Sequence, residues 1–420
     1  MFTEAKIKEV VSLPLDIDMN DIYTILQNNP NSYTHGMFKY PCKFIPEIPR
    51  WAIKKYAPDL NSVIFDPFSG SGTTLLESVV NGHRAFGTEI DSLAKLIIRV
   101  KTTNMSSTEV IELEKTADRL LLYADDETNK GVIPNIKNIL HWFPEDTVSY
   151  LGRIRAFLDE IADIKIKEFL QLVFATIIRN VSYADNQSPK PYVSSRITKM
   201  PSNAKNEFVK IYNKYMEMLL ELNENKYVEK AHILNGDALQ IKDDIFVDLA
   251  ITSPPYINAF DYARTLRLEN LWLGFLTEES LLEKKKTYVG TESITKSLEE
   301  KDISILEESE LLREYFNKIL KVDEKRAYVV KRFFEDMKKN LSEVQKVLKE
   351  DGRYVIVIGD SVIRKINIES WKVIRDIGLR MGYEYELSYS YNIVNPYLRI
   401  PRKGRGGEIK RDNVLVLRRS

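Results

Sequence analysis

At 420 residues the chain is long enough to bury a large core and to hold two or three domains. Its 61 basic and 61 acidic residues cancel, so any contact with a polyanion must come from local patches. The lone cysteine, Cys42, excludes an internal disulfide and a cysteine-rich zinc site, and the four histidines (His35, His83, His141, His232) lack ligand spacing, so no metal is expected. There is no hydrophobic signal core at the start and no apolar run that approaches a membrane span. A protein of a reducing compartment, the cytoplasm, with no membrane contact is expected.

Residues 1–30 form a short amphipathic lead with little signal. Residues 35–49 follow, rich in proline and aromatics and including Phe44 and Pro46; taken alone the segment reads as core packing. Next comes an apolar strand, Val63-Ile64-Phe65-Asp66, which runs into Pro67-Phe68-Ser69-Gly70-Ser71-Gly72-Thr73-Thr74 and then a helix. Glycines at such a turn let the backbone approach a ligand, and a helix N-terminus offers free N–H groups. The turn lacks the third glycine of the dinucleotide fingerprint and the Gly-Lys-Ser/Thr of a P-loop, which weakens both of those readings.

A second strand, residues 84–91, ends in Glu89-Ile90-Asp91 about 20 positions after the glycine turn, where a doubly wound fold places a carboxylate on ribose hydroxyls. Glu89 takes that role here, with Asp91 the alternative holder or the cap of the helix that follows. Residues 104–230 break the α/β alternation with apolar residues at helical spacing (Leu151, Ile154, Leu158, Ile161). Their polar loop, 179–192, carries aromatics and is followed by Arg196 and Lys199, which can meet phosphates and base edges; a solvated helix–loop–helix surface is the alternative.

The α/β pattern resumes at residues 231–238, where Asp237 and Ala238 stand at another strand end and the carboxylate can accept from an adenine amino group. The apolar run 246–250 then meets Ile251-Thr252-Ser253-Pro254-Pro255-Tyr256. Two consecutive prolines cannot continue a ladder, so Ser253 and Tyr256 are presented on a stiff turn at the ligand-binding edge of the sheet. That turn suits methylation of an exocyclic amino group on a nucleobase. The Ser253 hydroxyl and the Pro254 carbonyl can accept from the NH2, and Tyr256 can stack on an extruded base, worth about 1–3 kcal/mol.

Arg264 and Arg267 follow close enough to touch nucleic acid. Residues 276–325 are dense in charge of both signs and read as a solvated insertion or mobile loop. The chain closes with a helix over 328–349, a buried strand at 353–360, a helix around 371–381, and strands at 383–393 and 412–418. Between those last strands lies a basic loop with Arg399, Arg402, Lys403 and Arg405, placed to contact phosphates.

As an ordered set these motifs resemble the S-adenosylmethionine-dependent DNA amino-methyltransferases of restriction–modification and defence systems. Segment 35–49 resembles motif X of that family, with Phe44 and Pro46 on the cofactor. Asp66, Pro67, Phe68, Gly70, Gly72 and Thr73 match the cofactor cradle of motif I. Glu89 and Ile90 match the ribose-binding strand end, Asp237 and Ala238 the adenine side, and Ser253, Pro254, Pro255 and Tyr256 catalytic motif IV. The resemblance implies a seven-stranded Rossmann-like methyltransferase sheet with a final antiparallel hairpin, here with a large helical insertion. It also implies S-adenosylmethionine as cofactor, double-stranded DNA as substrate, and a cognate restriction or defence partner.

The expected division is 1–103, 231–275 and 328–420 for the methyltransferase fold, 104–230 for a helical target-recognition insertion, and 276–327 for a charged insertion. Within the family Ser-Pro-Pro-Tyr is found mostly in cytosine-N4 enzymes, with adenine-N6 as the alternative. An RNA amino-methyltransferase is a further reading, although residues 1–30 leave no room for the usual RNA-binding domain, and a catalytically silent DNA-binding homologue is the last.

Overall fold

The computed structural model describes residues 6–19, 21–27, 29–186, 188–196, 199–226, 228–257, 261–292, 302–394 and 410–420. Within these residues one nine-stranded sheet organises the chain. Its strands are β1 (Ile7–Val10), β2 (Ile22–Ile25), β3 (Val63–Asp66), β4 (Arg84–Gly87), β5 (Ala231–Ile233), β6 (Val247–Thr252), β7 (Leu348–Gly359), β8 (Tyr383–Asn392) and β9 (Arg411–Arg419). Across the sheet they run β1-β2-β8-β9-β7-β6-β3-β4-β5. Every neighbouring pair is parallel except those of β9, which is antiparallel to both β8 and β7.

The expected seven strands are β3 to β9, including the antiparallel hairpin. The other two, β1 and β2, extend the sheet from the edge of β8, where Ile22 pairs with Ser390 and Thr24 with Asn392. At four residues each they are too short to leave a period-two signal in the sequence.

The central strands are rich in β-branched residues because both faces are covered. Ile64, Leu249, Ile251, Val355 and Val357 turn to one side, against Ile48, Trp51 and Ile53 of the helix Glu47–Tyr56. Phe65, Ala250, Ile356 and Ile358 turn to the other, against Phe333, Phe334 and Leu341 of Glu324–Val347 and Ile374 of Ser370–Arg380. The strand order reverses beside β3: the chain moves outward to β4 and β5, then returns to β6 on the opposite flank. That leaves a crevice beyond the carboxyl ends of β3 and β6.

The insertion is helical. Ser107–Asp125 starts from a capping box between Ser106 and Glu109, Ile164–Ile178 from the Asp163 carboxylate, and Ala204–Glu224 from Asn203. With Glu145–Glu160 these helices bury Leu113, Leu120, Leu151, Leu158, Phe174 and Phe208 in a core continuous with Leu96, Leu268 and Trp272. Trp272 is fully buried, edge-on to Phe143 at 5.7 Å and Phe174 at 6.0 Å. Through it the insertion is joined to the helix Arg267–Trp272, which follows the proline turn.

One expectation is corrected. The charged stretch after residue 276 is not solvated throughout: Ile305, Leu306, Leu312, Phe316 and Ile319 are buried in the core beside Glu324–Val347. In Glu310–Leu320 the buried residues fall at 312, 315, 316 and 319, a helical stripe that the surrounding charges hid. Among the described residues no helix is long and apolar enough to cross a membrane.

Trp272→Ala is expected to lower stability by about 3–5 kcal/mol, because a cavity would open where insertion and sheet helices meet. Denaturant unfolding followed by circular dichroism checks this; a loss well under 1 kcal/mol would mean that the insertion is not energetically joined there.

Candidate active site

A cleft of about 860 Å³, counted with its open mouth, lies beyond the carboxyl ends of β3, β4 and β6. Pro67 to Ser71, Thr73, Thr88 to Ile90, Asp237 to Leu239, Ser253 and Pro255 form its walls, and Tyr40 and Cys42 to Phe44 close one side. Tyr262 and Thr287 to Val289 complete it. Of the residues expected to bind cofactor, Phe44, Pro67, Phe68, Gly70, Thr73, Glu89, Ile90, Asp237 and Ala238 line the cleft. Pro46, Asp66 and Gly72 stand behind its wall: Pro46 begins the helix Glu47–Tyr56 and Gly72 begins Thr73–Val80.

The glycine turn is held open by backbone geometry. Gly70 (φ +50°) and Gly72 (φ +75°) both lie in the left-handed region that side chains disfavour. A Cβ built on Gly70 would come no nearer than 3.7 Å to any neighbour, so the turn leaves room for a ligand. The helix Thr73–Val80 has no side-chain cap, and its first N–H groups stand at the end of that turn.

Asp66 works from behind. Its Oδ1 accepts from the Thr252 hydroxyl at 2.6 Å and from the Phe68 N–H at 3.0 Å. Burial pushes its carboxyl up to about 6, and the Thr252 hydrogen bond opposes the rise. The carboxylate thereby ties the glycine turn to the last residue of β6, immediately before Ser253.

The proline–aromatic segment is anchored by buried charge. The His35 ring meets Glu77 Oε1 at 2.8 Å, and Arg50 donates to both oxygens of Glu77 at 3.0 and 2.7 Å. The wholly buried Lys101 donates to the Ser71 carbonyl at 2.8 Å. Burial holds that ammonium well below its ordinary pKa. These contacts fasten segment 35–50 and the glycine turn to the helices Thr73–Val80 and Ser92–Lys101.

Beyond β4, Asp91 caps Ser92–Lys101 through the N–H groups of Leu93 and Ala94, and Glu89 lines the cleft. The Glu89 carboxylate accepts from Gly70 N–H at 2.9 Å and from Ile90 and Asp91 N–H at 2.8 Å, while burial pushes its carboxyl up to about 7. Asp237 accepts from Leu239 N–H at 2.7 Å, and Asn340 holds the Ala238 carbonyl at 2.8 Å.

Sequence reasoning missed the rest of the enclosure. Tyr262 stacks on Tyr40 with centroids 5.7 Å apart and meets Tyr288 at the same distance, and the Tyr288 hydroxyl donates to Asp91 Oδ2 at 3.0 Å. Lys284 donates to the Ile90 carbonyl. Nothing in a stretch dominated by Lys284-Lys285-Lys286 marks the next residues as part of a cleft. At the proline turn, Ser253 and Pro255 face the cleft, Pro254 is buried, and Tyr256 lies outside the lining.

The residues expected to meet nucleic acid divide. Arg196 and Arg264 are exposed. Lys199 instead staples its own loop, donating to the carbonyls of Arg179 at 2.6 Å and Ala184 at 2.9 Å. Arg267 forks onto Glu278 and lies over Trp142 at 5.4 Å. Arg399, Arg402, Lys403 and Arg405 lie outside the described residues.

Residues 2–99, which hold segment 35–49, the glycine turn and Glu89, match a family model described as DNA methylase (N6_N4_Mtase). With the fold and the cleft, that match and the relatives below make the chain similar to S-adenosylmethionine-dependent DNA amino-methyltransferases of the restriction–modification type. More particularly, it is similar to type II methyltransferases over most of its length. It is 26% identical to M.MvaI of Kocuria varians over 409 residues, covering 92% of this chain and 89% of that one. It is 23% identical to M.AvaI of Nostoc sp. over 400 residues, covering 86% and 81%. With M.BsoBI of Geobacillus stearothermophilus it shares 24% identity over 290 residues, covering 59% and 54%.

S-adenosylmethionine is the cofactor that this similarity implies, and the cleft fits it. The open glycine turn and uncapped helix start give room and N–H donors at one end, and Glu89 and Asp237 offer acceptors along the wall. Phe44, Phe68 and Tyr262 supply apolar surface.

Proposed function

We propose that this chain methylates the exocyclic N4 of cytosine in double-stranded DNA, on a base turned out of the duplex. The observation that carries the reading is the placement of Ser253 and Pro255 in the wall of the cofactor cleft, at the end of β6, with Asp66 tying that strand end to the glycine turn. When bound, S-adenosylmethionine supplies a methyl group made electrophilic by its sulfonium.

The chain's own residues supply orientation. An aromatic amine is a poor nucleophile because its lone pair is delocalised into the ring. The Ser253 hydroxyl and the Pro254 carbonyl accept from its two hydrogens and turn the nitrogen toward the cleft, and the stiff prolines fix that geometry in advance. Tyr256 gives the base a face to stack on. Ser253 favours cytosine-N4 over adenine-N6, as serine at this position does within the family. Around the cofactor, Glu89 accepts from the ribose hydroxyls, Asp237 from the adenine amino group, and Gly70 and Thr73 border the methionine end. The helical residues 104–230 read the target with the exposed Arg196 and Arg264, and the methyltransferase fold is made of 1–103, 231–275 and 328–420.

Labelled S-adenosylmethionine, unmethylated genomic DNA and mass spectrometry of the digested nucleosides test the reaction. N4-methylcytosine is expected; N6-methyladenine overturns the base assignment, and label on RNA alone overturns the substrate. Ser253→Ala should lower kcat about 100-fold with cofactor affinity held within about twofold.

The Glu89 role carries a pH signature. Its carboxyl, raised to about 7, is ionised above that pH and protonated below, and only the ionised form accepts from both hydroxyls. Cofactor affinity measured by calorimetry should therefore rise between about pH 6 and pH 8, and Glu89→Gln should bind about tenfold more weakly with a flat profile. An unchanged slope in Glu89→Gln assigns the titration to another group.

A further inference from the structure

Tyr256 adjoins the cofactor cleft without lining it, and its hydroxyl enters a short hydrogen-bonded chain. Its hydroxyl donates to Oδ1 of Asp412 at 2.6 Å, and Oδ2 of the same carboxylate accepts from the Tyr391 hydroxyl at 3.0 Å. Asp412 is 7% exposed, and burial pushes its carboxyl upward while the two phenols oppose the rise. It pairs with Gly359 of β7 on one side and Tyr391 of β8 on the other. Because β9 is antiparallel, its first residues reach the same edge of the sheet as the last residues of β6, and so bring a carboxylate to the proline turn.

That start of β9 is itself fixed. Asn413, the next residue, donates to Asp360 at 3.0 Å and accepts from Ser390 at 2.7 Å. A buried carboxylate is costly unless both oxygens are satisfied, and a phenylalanine at 256 would pack the ring without one. What the carboxylate adds is direction, since it fixes the far end of a ring whose near end sits on a rigid turn.

We propose that Asp412 is a positioning residue for the base slot, holding Tyr256 by its hydroxyl so that the ring face stands ready for the extruded base. The inference rests on the base-stacking role given to Tyr256 above. Asp412 touches neither cofactor nor base; it acts through the tyrosine, and Tyr391 steadies its second oxygen.

A double-mutant cycle on the full chain tests this, with Tyr256→Phe, Asp412→Asn and the pair, assayed for methyl transfer to unmethylated genomic DNA and for S-adenosylmethionine affinity. Each single change should lower kcat about tenfold and leave cofactor affinity within about twofold, and the pair should be no slower than the slower single. Losses that multiply in the pair, or a fall in cofactor affinity matching that in kcat, overturn the positioning role. Should Asp412→Asn fail to fold, Tyr256→Phe decides alone, and an unchanged kcat overturns it. A wild-type chain that methylates no amino group in DNA overturns the base-stacking reading and this one with it. An active wild type with multiplying losses overturns this one only.

Discussion

The hydrogen bond from Thr252 to Asp66 sets the distance between the two halves of the site. One half is the glycine turn after β3, the other the proline turn after β6. Parallel pairing of Ile64 with Leu249 and Phe65 with Ala250 brings the strands together, but backbone pairing ends before either turn begins. Across that gap the Asp66 carboxylate reaches Thr252 and the Phe68 amide at once. Its burial costs free energy, as the raised pKa shows, and the contact is retained because it locks one loop to the other.

Around that link the site is built from strand ends on one edge of one sheet. Helices fasten each loop from behind: Glu77 grips His35 and Arg50, Lys101 the Ser71 carbonyl, and Asp91 both its own helix and Tyr288. Charges that would be expensive alone are paired inside the wall, while the cleft surface itself mixes aromatic and aliphatic side chains with serine and threonine hydroxyls, Lys43 and two carboxylates. A supporting shell of this kind holds the residues in front of it in place, as a preorganised site requires.

Much of this was legible in the residues. Where local chemistry is unambiguous the sequence reading and the structure agree: the helix Ser92–Lys101, the glycine turn, the proline stop after Thr252, and the last two strands. Elements that rely on distant partners escaped it. β1 and β2 are strands only because β8 offers an edge. Tyr262 and Tyr288 join the cleft through folding across more than 200 residues of chain back to Tyr40. Asp66 looked like a ligand because of its place in the motif, whereas the structure puts it behind the loop. Lys199 and Arg267 read as nucleic-acid contacts, and a one-dimensional pattern of charge does not display the carbonyls and the carboxylate that they bond.

The place of β9 has a consequence for the life of the polypeptide. This strand, residues 411–419, lies between β7 and β8 within the sheet, yet it follows the other eight described strands of that sheet in the chain. Until it emerges from the ribosome, β1, β2 and β8 have no ladder to the remaining strands, and Tyr256 has no Asp412 to hold. The loops after β3, β4 and β6 are made earlier, but the two groups of strands are joined only once this strand is present. A chain interrupted before residue 411 therefore leaves unpaired edges on β7 and β8, open to wrong pairing and to proteolysis.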